Sequence, residues 1–152
     1  MPDRGSAARA RRSNGCAFPR RLRVTWSAVL IALLLSHAVG DVLLQTDRQA
    51  LDKVRGLGDF AGRVALTTHV AIYTLAFLPA LVWIGIEKNF VRALVVGLVV
   101  AITHLVIDDG RLVETWMRTV KRAANPGTGL LIAVDQSFHV LCLFGAALIA
   151  VA

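Results

Sequence analysis

The sequence predicts an all-α protein: an integral membrane bundle of four antiparallel transmembrane helices with two amphipathic interfacial loop segments. The first supporting observation is composition, because 56% of the 152 residues are hydrophobic and the mean hydropathy is +0.63. A single-domain chain in water is rarely so apolar. The second is that four apolar stretches approach the roughly 20 residues with which a helix crosses a bilayer. The third is that each stretch contains one histidine.

The predicted domain covers residues 24–152, with spans at about 24–45, 64–86, 92–110 and 129–152, after a basic N-terminal tail at 1–23. Seven of the seventeen Lys and Arg residues lie in that tail, which contributes to the net charge of +7. A basic flank beside a membrane helix sets topology and contacts anionic lipid. We therefore expect membrane lipids, and no nucleic acid, as partners.

The beginning of the chain also has features of a secretory signal. "PRRLR", "VTWSAVLIALLL" and "SHAVG" are a charged, an apolar and a small-residue region in the order of a cleavable leader. Cleavage would leave the stripe of His37, Asp41 and Gln45 without a purpose, although it has counterparts in the other three stretches. We therefore interpret residues 24–45 as a permanent span.

The two longer connections predict amphipathic segments that lie along the membrane surface. "TDRQALDKVRGLGDFAGR" and "RLVETWMRTVKRAANPG" both place apolar residues at helical intervals opposite charged ones. Trp116 is the expected interfacial anchor of the second segment. The short "EKNF" connection at 87–90 predicts that the second and third spans are antiparallel neighbours.

Polar residues repeat at the same depth in all four predicted spans. His37 and Asp41 are one helical turn apart, and so are His104 and Asp108; in the last span the order is reversed, with Asp135 before His139. An antiparallel helix needs this reversal to place its carboxylate at the height of the others. Counted from the shared membrane face, the expected layers are a shallow one with Asp41, His69, Asp108 and Asp135, and a deeper one with His37, Tyr73, His104 and His139.

Three carboxylates inside membrane helices need compensation, because each costs about 2.5–3.5 kcal/mol at a helix centre. No Lys or Arg lies within residues 25–45, 64–86, 93–110 or 129–152 to supply it. Imidazole and carboxylate together suit a divalent ion, and Zn²⁺, Fe²⁺ or Mn²⁺ is the expected cofactor. The predicted metal ligands are His37, Asp41, His69, His104, Asp108, Asp135 and His139. This number of ligands leaves open either two ions, or one ion with other residues orienting its ligands.

Three further polar residues extend the candidate site. Tyr73 could donate a hydrogen bond to a developing oxyanion, and it is predicted as a catalytic residue together with Asp41, Asp108 and Asp135. Gln45 and Gln136 are predicted to support a ligand or a substrate. Packing or ordinary hydrogen bonds between helices are the structural alternatives for all three.

The motifs His37-x3-Asp41-x3-Gln45, "LTTHVAIYTLAF", His104-x3-Asp108 and Asp135-Gln136-x2-His139 resemble an uncharacterised family of small bacterial and phage membrane proteins, the domain of unknown function 3307. The resemblance covers roughly residues 30–145. It implies a four-helix, multi-pass protein of the bacterial inner (cytoplasmic) membrane and no established activity.

The expected function is a membrane protein with an intramembrane His/Asp site that binds metal, and a metal-dependent hydrolase of a lipid-linked or membrane-proximal substrate is the favoured activity. A divalent-metal or proton carrier is the main alternative, but a carrier needs polar groups on both sides of the site, and the far halves of the spans are almost wholly apolar. Axial haem ligation and a non-catalytic assembly role are two further alternatives. Whether the protein forms a homo-oligomer is open.

Overall fold

The computed structural model describes residues 24–46, 49 and 56–152, and within these ranges the chain is helical and contains no strand. The predicted tail at 1–23 and most of the first interfacial segment lie outside the described residues. We label the helices α1 (Trp26–Ala38), α2 (Phe60–Ala76), α3 (Leu78–Glu87), α4 (Phe90–Asp108), α5 (Arg111–Thr119) and α6 (Thr128–Val151). A π-helical turn, Val39–Leu43, continues α1, and a short 3-10 turn, Gly56–Gly58, precedes α2.

Among the described residues, three helical segments are long and apolar enough to cross a membrane: α1 with its π-helical turn, α4 and α6. The bent pair α2 and α3 makes a fourth if the two helices form one span. Large apolar side chains on the outer surface are exposed, among them Leu35, Ile86 and Phe90. A continuous apolar exterior of this kind is consistent with a membrane protein and is rare in soluble monomers.

The second predicted span, 64–86, was expected to be one helix, and the structure divides it into two that meet at 47°. The α2 helix tightens at its end, where the Phe77 amide donates to the Thr74 carbonyl at 3.1 Å. Pro79 follows near the start of α3. Proline has no N–H to donate to the preceding turn and its ring crowds the backbone there, so the helix bends.

Side-chain oxygens cap the beginnings of three helices. Thr25, Asp59 and Asn89 accept hydrogen bonds from the first turns of α1, α2 and α4, at 3.2, 3.2 and 2.8 Å. Each cap pairs a backbone N–H that the helix itself leaves unsatisfied. The helices therefore begin where short polar residues interrupt the apolar sequence.

The helices pack around two apolar clusters with the polar residues between them. The larger cluster, here the distal core, contains Val29, Leu33, Tyr73, Phe77, Ala80, Ile84, Ala93, Val96, Val100, Leu143, Ala146, Ala147 and Ala150. The smaller one, here the proximal core, contains Ile107, Val113, Met117 and Val134. Along α4, His104 lies between Val100 and Ile107, so it separates the two cores.

The α5 helix covers the proximal end of the bundle. Val113 and Met117 are buried against α4 and α6, and the Trp116 ring meets the Phe138 ring edge-on at 5.4 Å. Arg111 and Arg118 are on the exposed side. The amphipathic pattern of the second connection thus corresponds to a helix with one buried apolar face.

Candidate metal centre

The deeper polar layer is a closed ring of four aromatic side chains, one from each of α1, α2, α4 and α6. The Tyr73 ring stacks on the His104 ring with their centroids 3.4 Å apart and their planes within 3°. The other three pairs of neighbouring rings close the circle. Their centroids are 4.7 Å apart for His104 and His139, 5.1 Å for the stacked His139 and His37, and 5.7 Å for His37 and Tyr73, which meet edge-on. These side chains fill the bundle interior beside the distal core.

The shallow layer is centred on the Nε2 atom of His69. This nitrogen lies 3.3 Å from Asp41 Oδ1, 3.3 Å from Asp108 Oδ2 and 3.1 Å from His104 Nε2. His104 Nε2 is in turn 3.5 Å from Asp108 Oδ2. Asp41, His69, His104 and Asp108 form what we call the four-ligand group, and all its ligand atoms lie within 4.8 Å of one another.

These separations suit a tetrahedral ion. Bonds of about 2.0–2.1 Å to His nitrogen and carboxylate oxygen place neighbouring tetrahedral ligand atoms roughly 3.3 Å apart. Four of the six distances between the ligand atoms are between 3.1 and 3.5 Å, and all pairs lie within 4.8 Å. The residues present therefore fit a zinc-like divalent ion.

Hydrogen bonds also determine which ring nitrogens of His139 and His104 have a lone pair to offer a metal ion. His139 Nδ1 lies 3.0 Å from the Asp135 carbonyl oxygen, which can only accept, so this nitrogen carries the proton. When the His139 ring is neutral, its lone pair is on Nε2, which is 2.8 Å from His104 Nδ1. His104 then donates through Nδ1 and directs its own Nε2 lone pair into the four-ligand group.

This series of hydrogen bonds, from Asp135 through His139 to His104, is the arrangement typical of metal-bound histidines. Such histidines usually donate their second ring N–H to a fixed acceptor. The acceptor here is His139, which is itself oriented by the backbone of α6. With the tautomers set in this way, a bare imidazole nitrogen and two carboxylate oxygens converge near His69 Nε2. A cation among these atoms is attracted by all of them.

A second set of residues also has metal-ligand spacing: Asp108, Asp135 and His139. It shares Asp108 with the four-ligand group, because Asp108 Oδ1 is 3.3 Å from His139 Nε2 while Oδ2 faces His69 and His104. An ion bound to His139 Nε2 would replace the hydrogen bond from His104. The observed contacts thus favour His139 as the residue that orients His104.

The burial of the carboxylates is graded across the site. The Asp108 side chain is 1% exposed and that of Asp41 7%, while that of Asp135 is 29% exposed. The site is therefore closed on the side of the distal core and partly open near Asp135, at the beginning of α6.

Close approach of the first two spans depends on Gly40, which lies between His37 and Asp41. A Cβ atom at this position would be 2.8 Å from Tyr73 Cδ2 and 3.2 Å from Tyr73 Cα. The π-helical turn that contains Gly40 also carries Asp41, and such turns are frequent at functional sites. Gly40 is not among the predicted site residues, and its signal in the sequence is a single glycine inside an apolar stretch.

His37, predicted as a ligand, has other contacts. Its Nδ1 is 3.0 Å from the Tyr73 hydroxyl and its Nε2 is 3.0 Å from Gln136 Oε1. Tyr73 is thus hydrogen-bonded to a histidine at the centre of the bundle. Gln136 joins three of the predicted site residues, whereas Gln45 lies just beyond the π-helical turn and is half-buried.

Comparison with known proteins identifies the family. The model of the family described as protein of unknown function (DUF3307) matches residues 29–152. The chain belongs to this family. The matched region of this DUF3307 protein contains every candidate ligand and supporting residue described above. No curated protein and no solved structure gives a significant match to it.

Proposed function

We propose that this DUF3307 protein is a four-span, antiparallel protein of the bacterial inner membrane that binds one divalent ion, Zn²⁺, Fe²⁺ or Mn²⁺, through the four-ligand group. Asp41, His69, His104 and Asp108 are its ligands, and His139 orients His104. We further propose that the ion serves hydrolysis of a lipid-linked or membrane-proximal substrate.

The observation that carries the proposal is a pair of short contacts, 3.0 Å from the Asp135 carbonyl oxygen to His139 Nδ1 and 2.8 Å from His139 Nε2 to His104 Nδ1. When His139 is neutral, these contacts leave His104 Nε2 without a proton, 3.5 Å from a carboxylate oxygen of Asp108. Two electron-rich atoms facing each other in a buried site are stabilised by a cation between them. The spacing of the four ligand atoms supports the same assignment.

Hydrolysis is the reaction class that best suits a bound ion with a carboxylate beside it. A divalent ion in such a site supplies Lewis-acid polarisation of a phosphoryl or acyl oxygen. Asp135 is the more accessible carboxylate and lies next to Asp108 and His139. We therefore assign proton transfer to Asp135, at the side of the site that a substrate can reach.

A proton relay is the second candidate, because His139, His104 and His69 are consecutive in a line of ring contacts at 2.8 and 3.1 Å. In a relay these nitrogens exchange protons and hold no metal. An ion carrier is less well supported, since the distal core beyond the histidines is apolar. Metal content separates the relay from the metal centre.

The test is elemental analysis of detergent-purified protein, comparing Asp108→Asn with Asp109→Asn. Asp109 is the next residue on the same helix, but its carboxylate pairs with Arg111 and accepts from the Leu57 amide, away from the four-ligand group. We expect one ion per chain in the wild type and in Asp109→Asn, and loss of the ion in Asp108→Asn. Asp135→Asn should keep the ion and lose hydrolysis of p-nitrophenyl phosphodiesters or acyl esters.

Wild-type protein that contains no metal after expression with added Zn²⁺, Fe²⁺ or Mn²⁺ would refute the metal centre and favour the relay. Retention of the ion in Asp108→Asn would refute the ligand assignment. An Asp135→Asn variant as active as the wild type would refute the role of Asp135 while leaving the metal centre intact.

A further inference from the structure

We infer that Gln136 is a positioning residue with two effects. It keeps His37 from acting as a metal ligand, and it holds the Asp41 carboxylate toward the ion. The half of this inference that concerns Asp41 rests on the proposed metal centre. The half that concerns His37 rests only on hydrogen bonds between protein groups.

The orientation of the Gln136 amide follows from its neighbours. Its Nε2 atom lies 3.0 Å from Asp41 Oδ2 and 3.2 Å from Asp135 Oδ2. Ionised carboxylates only accept hydrogen bonds, so the NH₂ group must face them and the amide oxygen must face His37. Each of the two amide hydrogens has its own carboxylate, one on the π-helical turn after α1 and one on α6.

The amide oxygen then sets the tautomer of His37. Because Gln136 Oε1 can only accept, His37 Nε2 carries the proton in the 3.0 Å contact between them. The lone pair of the neutral ring is on Nδ1, and the Tyr73 hydroxyl donates to it at 3.0 Å. Both ring nitrogens are occupied, and His37 has no lone pair to offer a metal ion.

The same amide gives the two Asp41 carboxylate oxygens different partners. Oδ2 accepts from Gln136, while Oδ1 faces His69 Nε2 at 3.3 Å. A carboxylate anchored through one oxygen presents the other in a fixed direction, which is how residues outside the ligand set strengthen metal binding. Gln136 thus connects Asp41 of the four-ligand group to Asp135 at the open side.

The metal arm of the test compares Gln136→Met, which keeps the length of the side chain without its hydrogen bonds, with Ser137→Ala. Ser137 is the next residue on α6, is exposed, and its hydroxyl donates to the Ala133 carbonyl. We expect Gln136→Met to bind Zn²⁺ about 10- to 100-fold more weakly, and Ser137→Ala to bind it as the wild type does. His37→Gln should retain one ion per chain, whereas His69→Gln should lose it.

The second arm uses no metal. In apo protein labelled with ¹⁵N-histidine, nuclear magnetic resonance separates protonated from bare ring nitrogens, and His37→Gln identifies the His37 signals by their absence. We expect a proton on His37 Nε2 in the wild type and a changed Nε2 signal in Gln136→Met. A bare Nε2 in the wild type overturns the assignment whether or not metal binds.

Two results in the metal arm also overturn the inference: unchanged Zn²⁺ affinity in Gln136→Met, or loss of the ion in His37→Gln from protein that remains folded. Co²⁺ spectra of the same variants give a readout beyond stability, because the absorption reports the geometry of the ligands. Wild-type protein that binds no metal refutes the proposed centre and the role assigned to Asp41, and the ¹⁵N measurement then decides the His37 half by itself.

Discussion

Two regions of the bundle interior are built from different kinds of side chain. The distal core, here also called the distal end, is apolar and rich in small residues, including Ala80, Ala93, Ala146, Ala147 and Ala150. The region between the distal and proximal cores, here called the polar end, is filled by imidazole rings and carboxylates joined by contacts between 2.8 and 3.6 Å. Small residues let helices approach closely in a membrane, so the distal end can hold the helices together while the polar end is organised around a ligand.

Acid should release the ion from the polar end and leave the packing of the distal end intact. This is the largest effect we expect. Imidazole must be neutral to coordinate, so protons compete with the ion as the pH falls, and binding recovers as the pH rises. With two histidine ligands, Zn²⁺ affinity should fall by up to about 100-fold per pH unit once both imidazoles compete for protons. Equilibrium dialysis measures the affinity, and circular dichroism checks that the helices persist.

An affinity that does not change as the pH is lowered over the range in which the helices persist would argue against histidine ligation. Loss of helicity over the same pH range would mean that the distal end does not stay folded independently of the polar end.

Leu33→Ala should have the opposite effect, weakening the distal end while the polar end keeps its ion. Leu33 is fully buried in the distal core, and removal of a buried leucine side chain typically costs about 2–5 kcal/mol through lost contacts and the cavity left behind. The control is Leu35→Ala on the same helix, since Leu35 is largely exposed and should change stability by less than about 0.5 kcal/mol.

Unfolding in mixed micelles measures these free energies, and elemental analysis follows the ion. If folded Leu33→Ala protein loses the ion, the polar end depends on the distal packing and the comparison fails.

Gly40→Ala tests the point where the two ends meet, with a smaller expected cost of about 1–3 kcal/mol from overpacking. The added methyl group would press on the Tyr73 ring and backbone, so Zn²⁺ affinity should fall with stability. Gly145→Ala is the matched control, because a Cβ at Gly145 meets no atom within 4 Å. Equal behaviour of the two variants in thermal unfolding and Zn²⁺ titration would contradict the proposed close packing of Gly40 against Tyr73.

Sequence periodicity predicted the helical class and much of each apolar segment. The predicted 92–110 and 129–152 correspond to Phe90–Asp108 and Thr128–Val151, because uninterrupted apolar sequence leaves little choice of where a helix runs. It did not predict the bend at Phe77 or the π-helical turn. Pro79 was a visible signal of the bend, whereas the turn depends on how the first span packs against Tyr73.

The candidate site could be predicted as a set of residues but not as a set of roles. Spacing of four along a helix predicts that His104 and Asp108 share a face, and their side chains do meet. Spacing cannot distinguish His37 from His69, since both are single histidines in apolar segments. Their difference arises from partners on other helices, Gln136 for His37 and Asp108 for His69, which only the three-dimensional structure brings together.

The stacking of Tyr73 on His104 makes this tyrosine a natural position for a magnetic label of the bundle interior. Tyr73 is the only tyrosine in the chain, and its ring lies 3.4 Å from that of His104, within the candidate metal centre. Fluorotyrosine incorporated during expression therefore labels one position, at the core of the bundle, without any engineered substitution. A single fluorine resonance then follows filling, emptying or distortion of the site in intact lipid vesicles.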